Sequence, residues 1–64
     1  MLNSTVIAGF LKVGEDLLVR FKSGYVYKYF NVPDYVVNEF EDAPSLGKFF
    51  NSEIKNKYPT ALVV

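Results

Sequence analysis

The sequence predicts an α+β fold in which a small antiparallel three-stranded sheet is followed by two helices (β-β-β-α-α) packed on one of its faces. Two observations carry this prediction. The first half of the 64-residue chain holds three runs rich in β-branched and aromatic residues, separated by glycine-containing turns. The second half holds two segments with apolar residues at helical spacing, separated by a proline. A single domain is therefore expected over residues 1–64.

The three strands are expected at residues 6–13, 17–22 and 25–32. Residues 14–16 form a turn between the first two. Large aromatic side chains, five Tyr and six Phe, are expected to supply the core that so short a chain needs.

The length of the second turn decides which way the tyrosines face. A two-residue loop, residues 23–24, would pair Val19 with Lys28 and bring a lysine into the apolar row. A three-residue loop, residues 22–24, with its glycine in the left-handed conformation pairs Val19 with Tyr27 instead. The hydrophobic pattern favours the second register. It predicts a core face of Leu17, Val19, Phe21, Tyr25, Tyr27 and Tyr29, and an outer face of Leu18, Arg20, Lys22, Val26, Lys28 and Phe30.

Two helices are expected after the third strand. Pro33 suits the first position of a helix, where its missing N–H would have had no partner. This helix should end by Asp42, because Ala43 precedes a proline. Ser45 is the predicted N-cap of the second helix, and Gly47 would let that helix approach its neighbours closely. The predicted apolar positions are Val36, Val37 and Phe40 in the first helix and Leu46, Phe49, Phe50 and Ile54 in the second.

Composition excludes most catalytic and metal-binding chemistry. The chain has no Cys and no His, so disulfides, thiolate or histidine metal sites and nucleophilic triads are not available. The four glycines form no phosphate-binding loop. Glu39 and Glu41 lie two residues apart on a helix and point in different directions, so a solvated surface is favoured over an acid/base pair. We predict that the protein is not an enzyme and binds no metal or cofactor.

The start of the chain and its apolar runs predict a cytoplasmic location. Residues 1–5 lack the basic start and long apolar run of a signal peptide. No apolar stretch reaches the ~20 residues that span a bilayer. No membrane partner is expected.

Charge alone is weak support for nucleic-acid binding, because seven basic and seven acidic residues cancel. The chain is nevertheless mildly basic up to Pro33 and mildly acidic from Asp34 onward. The predicted outer face mixes cations with apolar residues, which is consistent with either an ordinary solvated face or a contact surface. The tyrosines are predicted to be core residues, with a stacking platform for bases as the alternative.

A family resemblance is carried by residues that run through nearly the whole chain. They are Phe10, Leu17, Val19, Phe21, Gly24, Tyr27, Tyr29, Val32, Pro33, Ala43, Pro44, Ser45, Gly47, Phe50, Asn51, Ile54 and Tyr58. In this order they resemble the KTSC domain, named for the C-terminus of some lysyl-tRNA synthetases and also found as stand-alone small bacterial proteins. The resemblance implies RNA binding as the suggested role. Two departures are Phe10, where Tyr is expected, and the apolar rather than basic tail after Tyr58.

Two functions are therefore expected as alternatives. The first is a non-catalytic module that binds RNA or other single-stranded nucleic acid, with cations on phosphates and an aromatic ring on a base. The second is a protein-interaction or inhibitor module, for example one that masks a host enzyme if the gene belongs to a phage or mobile element. The predicted contact residues are Arg20, Lys22, Tyr25, Lys28, Phe30, Lys48, Lys55 and Lys57.

The apolar end of the chain, residues 61–64, raises a further expectation. Together with the apolar part of the outer face, it favours self-association as a symmetric dimer. The alternatives for this tail are an edge strand or a cover for the monomer's own core.

Overall fold

A computed structural model describes residues 6–64; residues 1–5, which bear on the predicted location, lie outside the described part. Four strands form one antiparallel sheet in the order β1-β2-β3-β4. Two helices follow β3, so the α+β class is confirmed. The strands are β1 (Ile7–Val13), β2 (Asp16–Phe21), β3 (Val26–Tyr29) and β4 (Thr60–Leu62). The helices are α1 (Asp34–Asp42) and α2 (Leu46–Phe49), which continues into a π-helical turn (Phe50–Ile54).

The sheet has one strand more than the sequence predicts. Strand β4 pairs with β3 through the rungs Tyr27–Leu62, Lys28–Ala61 and Tyr29–Thr60. The pairing extends past the strand, because the Val63 N–H donates to the Val26 carbonyl at 2.8 Å. Of the alternatives left open for the tail, the edge strand is therefore the one observed.

The hairpin between β2 and β3 has the predicted three-residue loop. Its register places Leu17 opposite Tyr29 and Val19 opposite Tyr27. The Phe21 N–H donates to the Tyr25 carbonyl at 2.9 Å. Gly24 has a φ of 102°, and its N–H donates to the Phe21 carbonyl at 2.9 Å. This is a type I turn followed by a left-handed residue, so the predicted assignment of residues to two sides of the sheet is confirmed.

Five strand boundaries differ from the prediction, four of them by a single residue. Strand β2 begins at Asp16, because residues 14–15 alone make the turn from β1. Strand β3 ends at Tyr29, three residues earlier than expected. Asn31 has a left-handed φ of 57°, and its N–H donates to Asp16 Oδ1 at 3.1 Å. Asparagine tolerates this conformation, so the chain turns out of the sheet before Val32.

The helix ends follow the predicted signals, with one shift. Pro33 is the N-cap of α1 rather than its first helical residue, because its ψ of 150° is extended. Its carbonyl accepts the Val36 N–H at 3.1 Å. Helix α1 ends at Asp42 as predicted. Ser45 caps α2, its side-chain oxygen accepting the Lys48 N–H at 3.3 Å.

The predicted close approach at Gly47 is wrong. Apart from its chain neighbours and the backbone of its own helix, a Cβ atom built at Gly47 meets no described atom within 4 Å. The contacts of this helical segment come instead from Phe50 and Ile54, which are buried, while Leu46 and Phe49 are partly buried.

The core lies between the helices and the inner side of the sheet. Phe10 stacks on Phe40 with ring centroids 4.1 Å apart. Phe50 meets Phe21 and Tyr29 edge-on, both at 5.5 Å. These ring contacts give the short chain the apolar burial that it needs. The buried side chains are Ile7, Leu17, Val19, Tyr29, Val32, Val36, Val37, Phe40, Phe50 and Ile54.

Candidate functional site

The side of the sheet opposite the helices carries several of the predicted contact residues. Leu17 and Val19 are buried on the inner side, so the residues between and beside them point the other way. Strand pairing places Leu18 opposite Lys28 and Arg20 opposite Val26, which alternates cationic and apolar side chains. We call this surface the open face; its residues are Leu11, Val13, Asp16, Leu18, Arg20, Val26, Lys28 and Phe30.

Strand β1 contributes two residues to the open face that sequence reasoning missed. Leu11 pairs with Leu18, and Val13 pairs with Asp16. Both side chains are exposed. The sequence signal that could have identified them is the turn at residues 14–15. A two-residue turn there places Val13 opposite Asp16 and so determines the register between β1 and β2.

The electrostatics of the open face favour an anionic partner. The Lys28 ammonium lies 5.5 Å from the centroid of the Phe30 ring, a cation–π contact that holds both groups on this surface. Among the described residues, Arg20 and Lys28 form no ion pair, whereas Lys12 is neutralised by Asp34. The Asp16 carboxylate, at the start of β2, is the acidic group of this face and accepts the Asn31 N–H, so the open face keeps a net charge of +1 from Arg20, Lys28 and Asp16. The free positive charges of the sheet are therefore on the open face.

The remaining predicted cations do not join this surface. Lys48 lies in α2, and Lys55 and Lys57 follow the π-helical turn; all three are exposed. Phe50 and Ile54 of the same segment are buried in the core on the inner side of the sheet. These three lysines therefore belong to the helical layer, which consists of α1, α2 and the π-helical turn. The eight predicted contact residues do not form one interface.

Tyr25 corrects the prediction of a continuous tyrosine core. Tyr29 is 5% exposed and Tyr27 is half-buried, but Tyr25 is 54% exposed. The helical rings reach only as far along this row as Phe21, which contacts Phe50. Beyond that point lies an apolar depression that we call the hairpin-end pocket. It is lined by Val6, Phe21, Lys22, Ser23, Tyr25 and Tyr27.

The comparison with known families decides the identity of the domain. The family model of the KTSC domain matches residues 3–58. The chain belongs to the KTSC domain family.

Curated relatives of this KTSC domain are much longer proteins. Lysine–tRNA ligases of Nostoc punctiforme and Trichormus variabilis are each 46% identical to it over 44 residues. A lysine–tRNA ligase of Nostoc sp. is 41% identical over 44 residues. In each case the match covers 69% of this chain and 8% of the ligase.

The structure shows what the Tyr-x-Tyr of this KTSC domain does. Tyr27 and Tyr29 point to the inner side of the sheet, and Lys28 between them lies on the open face. Burial raises the pKa of the Tyr29 hydroxyl, and the neighbouring Tyr27 hydroxyl raises it further. The Tyr29 side chain is therefore a buried core residue whose hydroxyl keeps its proton further into the alkaline range than an exposed tyrosine would.

Across residues 6–64, no group of three or more His, Cys, Asp or Glu side chains is placed to hold a metal ion. No described helix is long and apolar enough to cross a membrane.

Proposed function

We propose that this KTSC domain is a non-catalytic module that binds single-stranded nucleic acid, and RNA in particular, through the open face. The observation that carries the proposal is the alternation of Arg20 and Lys28 with partly exposed apolar and aromatic side chains, Leu18, Val26 and Phe30. Cations attract phosphates, and flat apolar or aromatic groups contact unstacked bases. The names of the relatives, lysine–tRNA ligases, support RNA as the class of nucleic acid.

The charge of the open face sets the expected strength of binding. Arg20 and Lys28 can each neutralise one phosphate, and Lys22 at the end of the hairpin can neutralise a third. Three phosphate contacts give a slope of roughly −2 for log affinity against log salt on a single strand. We therefore expect weak binding that is lost steeply as salt rises.

Fluorescence anisotropy with a labelled single-stranded RNA tests the proposal. The open-face variant R20Q/K28Q should lower the affinity and reduce the salt slope by roughly 1.4. The matched control is K48Q/K55Q, which removes the same charge from the helical layer and should leave binding unchanged. Flat curves for the wild type up to ~100 µM, the weak limit of non-specific binding, would overturn nucleic-acid binding. Equal losses in both variants would overturn the assignment to the open face.

A protein partner is the second candidate, and one observation favours it. Leu11 and Val13 add exposed apolar area to the open face, and the chain has no net charge. Protein interfaces have apolar centres and few charges. Affinity capture with the whole chain, with and without nuclease, separates the candidates. A stoichiometric protein that survives nuclease supports the protein partner, and recovery of nucleic acid alone counts against it.

Self-association remains a proposal of the same kind. Leu62, Val63 and Val64 stay exposed although this segment pairs with β3. Burying them against a second copy would stabilise the chain by mass action. Light scattering of the full chain over a range of concentrations should show the mass rising above that of one chain, and a constant mass contradicts the dimer.

A further inference from the structure

The hairpin-end pocket is a second concave surface, and the open-face interface does not use it. Its volume is about 330 Å³, near the lower limit of small-ligand sites, roughly 300–1,000 Å³. Its wall is almost entirely apolar and comes mainly from three aromatic rings. No acidic side chain is among the lining residues.

Of the three aromatic rings that line this pocket, the Tyr25 ring is the one that is exposed and available for stacking. Phe21 and Tyr27 already pack edge-to-face, with centroids 5.8 Å apart and planes at 83°. Among residues 6–64, Tyr25 makes no ring–ring contact. Its backbone is held by the hydrogen bond between its carbonyl and the Phe21 N–H. An exposed ring on a fixed backbone is suited to stacking against a planar group.

A row of positive charge connects this pocket to the open face. Arg20 pairs with Val26 at the last rung before the hairpin loop. Lys22, two residues further, lies in the loop and lines the pocket. In the part of the chain that the structure describes, neither cation has a salt-bridge partner. The cations therefore run from the open face around the end of the hairpin to the pocket.

We propose that the hairpin-end pocket binds one unpaired nucleobase, stacked on Tyr25, of the same strand that lies on the open face. A phosphate next to that base meets Lys22. The inference rests on the proposed function, and it specifies the ligand further as a single strand with one unpaired base placed in the pocket. A nucleotide supplies both a planar ring for the apolar wall and an anion for Lys22, whereas an apolar protein side chain supplies only the first.

The proposal selects single-stranded over duplex ligands. A base can enter the pocket only when it has left its stack and its pair. The strand must also bend around the end of the β2–β3 hairpin, which a regular duplex cannot do at this scale. Duplex RNA can contact only the cations.

Nuclear magnetic resonance titration of the full chain tests the pocket directly. Adenosine 5′-monophosphate should shift the ring resonances of Tyr25, Phe21 and Tyr27, and the Lys22 amide. Ribose 5-phosphate, which has no base, should shift the Lys22 amide alone. Absence of ring shifts with the nucleotide overturns the proposal. Ring shifts with N-acetylphenylalanine amide but not with the nucleotide also overturn it, because a protein side chain would then be the occupant.

Binding of a single-stranded RNA by variants provides the second test. Removing a stacking ring costs a factor of roughly 5–150 in affinity, so Y25A should weaken binding by this much. Y25F keeps the ring and should bind like the wild type. Y25L keeps most of the apolar volume without the ring and should bind like Y25A. This variant distinguishes the loss of ring stacking from a loss of affinity caused by unfolding. Y35A, at a tyrosine of α1 that is 65% exposed, is the matched control and should have no effect.

The outcomes separate this inference from the function on which it rests. If R20Q/K28Q weakens binding and Y25A does not, the open face stands and the pocket is overturned. If the wild type binds no RNA, the proposed function is overturned, and the nucleotide titration still decides the pocket.

Discussion

The two ends of the β2–β3 hairpin differ although they carry the same alternation of residues. Next to α1, Leu17 and Tyr29 are 0% and 5% exposed. Next to the loop, Tyr25 is 54% exposed. All three belong to the row on the inner side of the sheet, and the hydrogen-bonded pair Phe21–Tyr25 closes the hairpin beyond the last strand rung. Alternation therefore assigns a side of the sheet, but helix placement assigns burial.

The rings of the helical layer mark where the core stops. Phe50 contacts both Tyr29 and Phe21 at 5.5 Å, and no described ring reaches Tyr25. The side chains at one end of the row, Leu17 and Tyr29, are thus buried and stabilise the core. The other end leaves an aromatic surface free for a ligand.

The largest effect is expected from truncating the buried end. L17A removes a fully buried side chain and should lower the free energy of unfolding by about 2–5 kcal/mol. The total free energy of unfolding of a chain of this length is roughly 3–10 kcal/mol, so L17A would remove much of the stability. Urea denaturation measures the change. Y25A at the exposed end should cost only about 0.2–1 kcal/mol, the value of a cross-strand pair. Similar losses at the two ends would contradict the comparison.

A smaller effect is expected from the backbone at the exposed end. Gly24 has a φ of 102°, so G24A should cost roughly 1–2 kcal/mol through strain. G9A is the matched control, since neither glycine has a neighbour within 4 Å of an added Cβ and Gly9 has no positive φ. Urea denaturation should show a stability for G9A equal to or above that of the wild type. If G24A behaved like G9A, the loop would not depend on its left-handed residue.

Helix α2, which continues into the turn that places Phe50 on Tyr29, can be weakened at its N-cap. S45A removes the oxygen that accepts the Lys48 N–H and should cost about 1 kcal/mol. S45D restores an acceptor and should be close to the wild type. Thermal unfolding followed by circular dichroism is the measurement. A loss of stability in S45D equal to that in S45A would argue against capping as the cause.

The smallest effect is expected at high pH. Burial raises the pKa of Tyr29 above its ordinary value of 10.0, so the folded state keeps this proton longer than the unfolded state. The stabilisation is complete below pH 10.0 and is lost as the pH rises through the folded-state pKa. Urea midpoints above this pH should therefore fall less steeply for Y29F than for the wild type.

Tyr58 is the matched site for this comparison. Burial raises its pKa, and Tyr35 and Glu53 raise it to a lesser extent. Y58F should also reduce the loss of stability at high pH. If Y29F and Y58F both left the wild-type slope unchanged, burial of these hydroxyls would not contribute to alkaline unfolding.

Local rules predicted most of the fold correctly. The hairpin register followed from one glycine and the position of Lys28, because the alternative register would have placed a charge in the apolar row. The N-cap at Ser45 and the end of α1 followed from side-chain capping and from the proline after Ala43. These features depend on residues close in sequence, which is why the sequence was sufficient.

Long-range contacts account for the features that the sequence did not predict. Strand β4 exists because its backbone pairs with β3 more than 30 residues earlier in the chain, and three residues carry too little pattern to reveal this. The composition of the candidate site also depended on contacts between strands. The sequence placed Arg20, Lys28 and Phe30 on one side of the sheet, but the joining of Leu11 and Val13 to them required the register of β1.

By itself, the sequence determined the strands β1 to β3, the two helices, the side of the sheet to which each β2 and β3 residue points, and the lack of Cys and His chemistry. Only the tertiary structure decided that Tyr25 is exposed while Tyr29 is buried, and that the cations of the sheet and those of the helical layer are separate. The physical reason is that side-chain direction follows from backbone geometry within one strand. Burial depends on where another element packs, and no local pattern encodes how far along the sheet a helix extends.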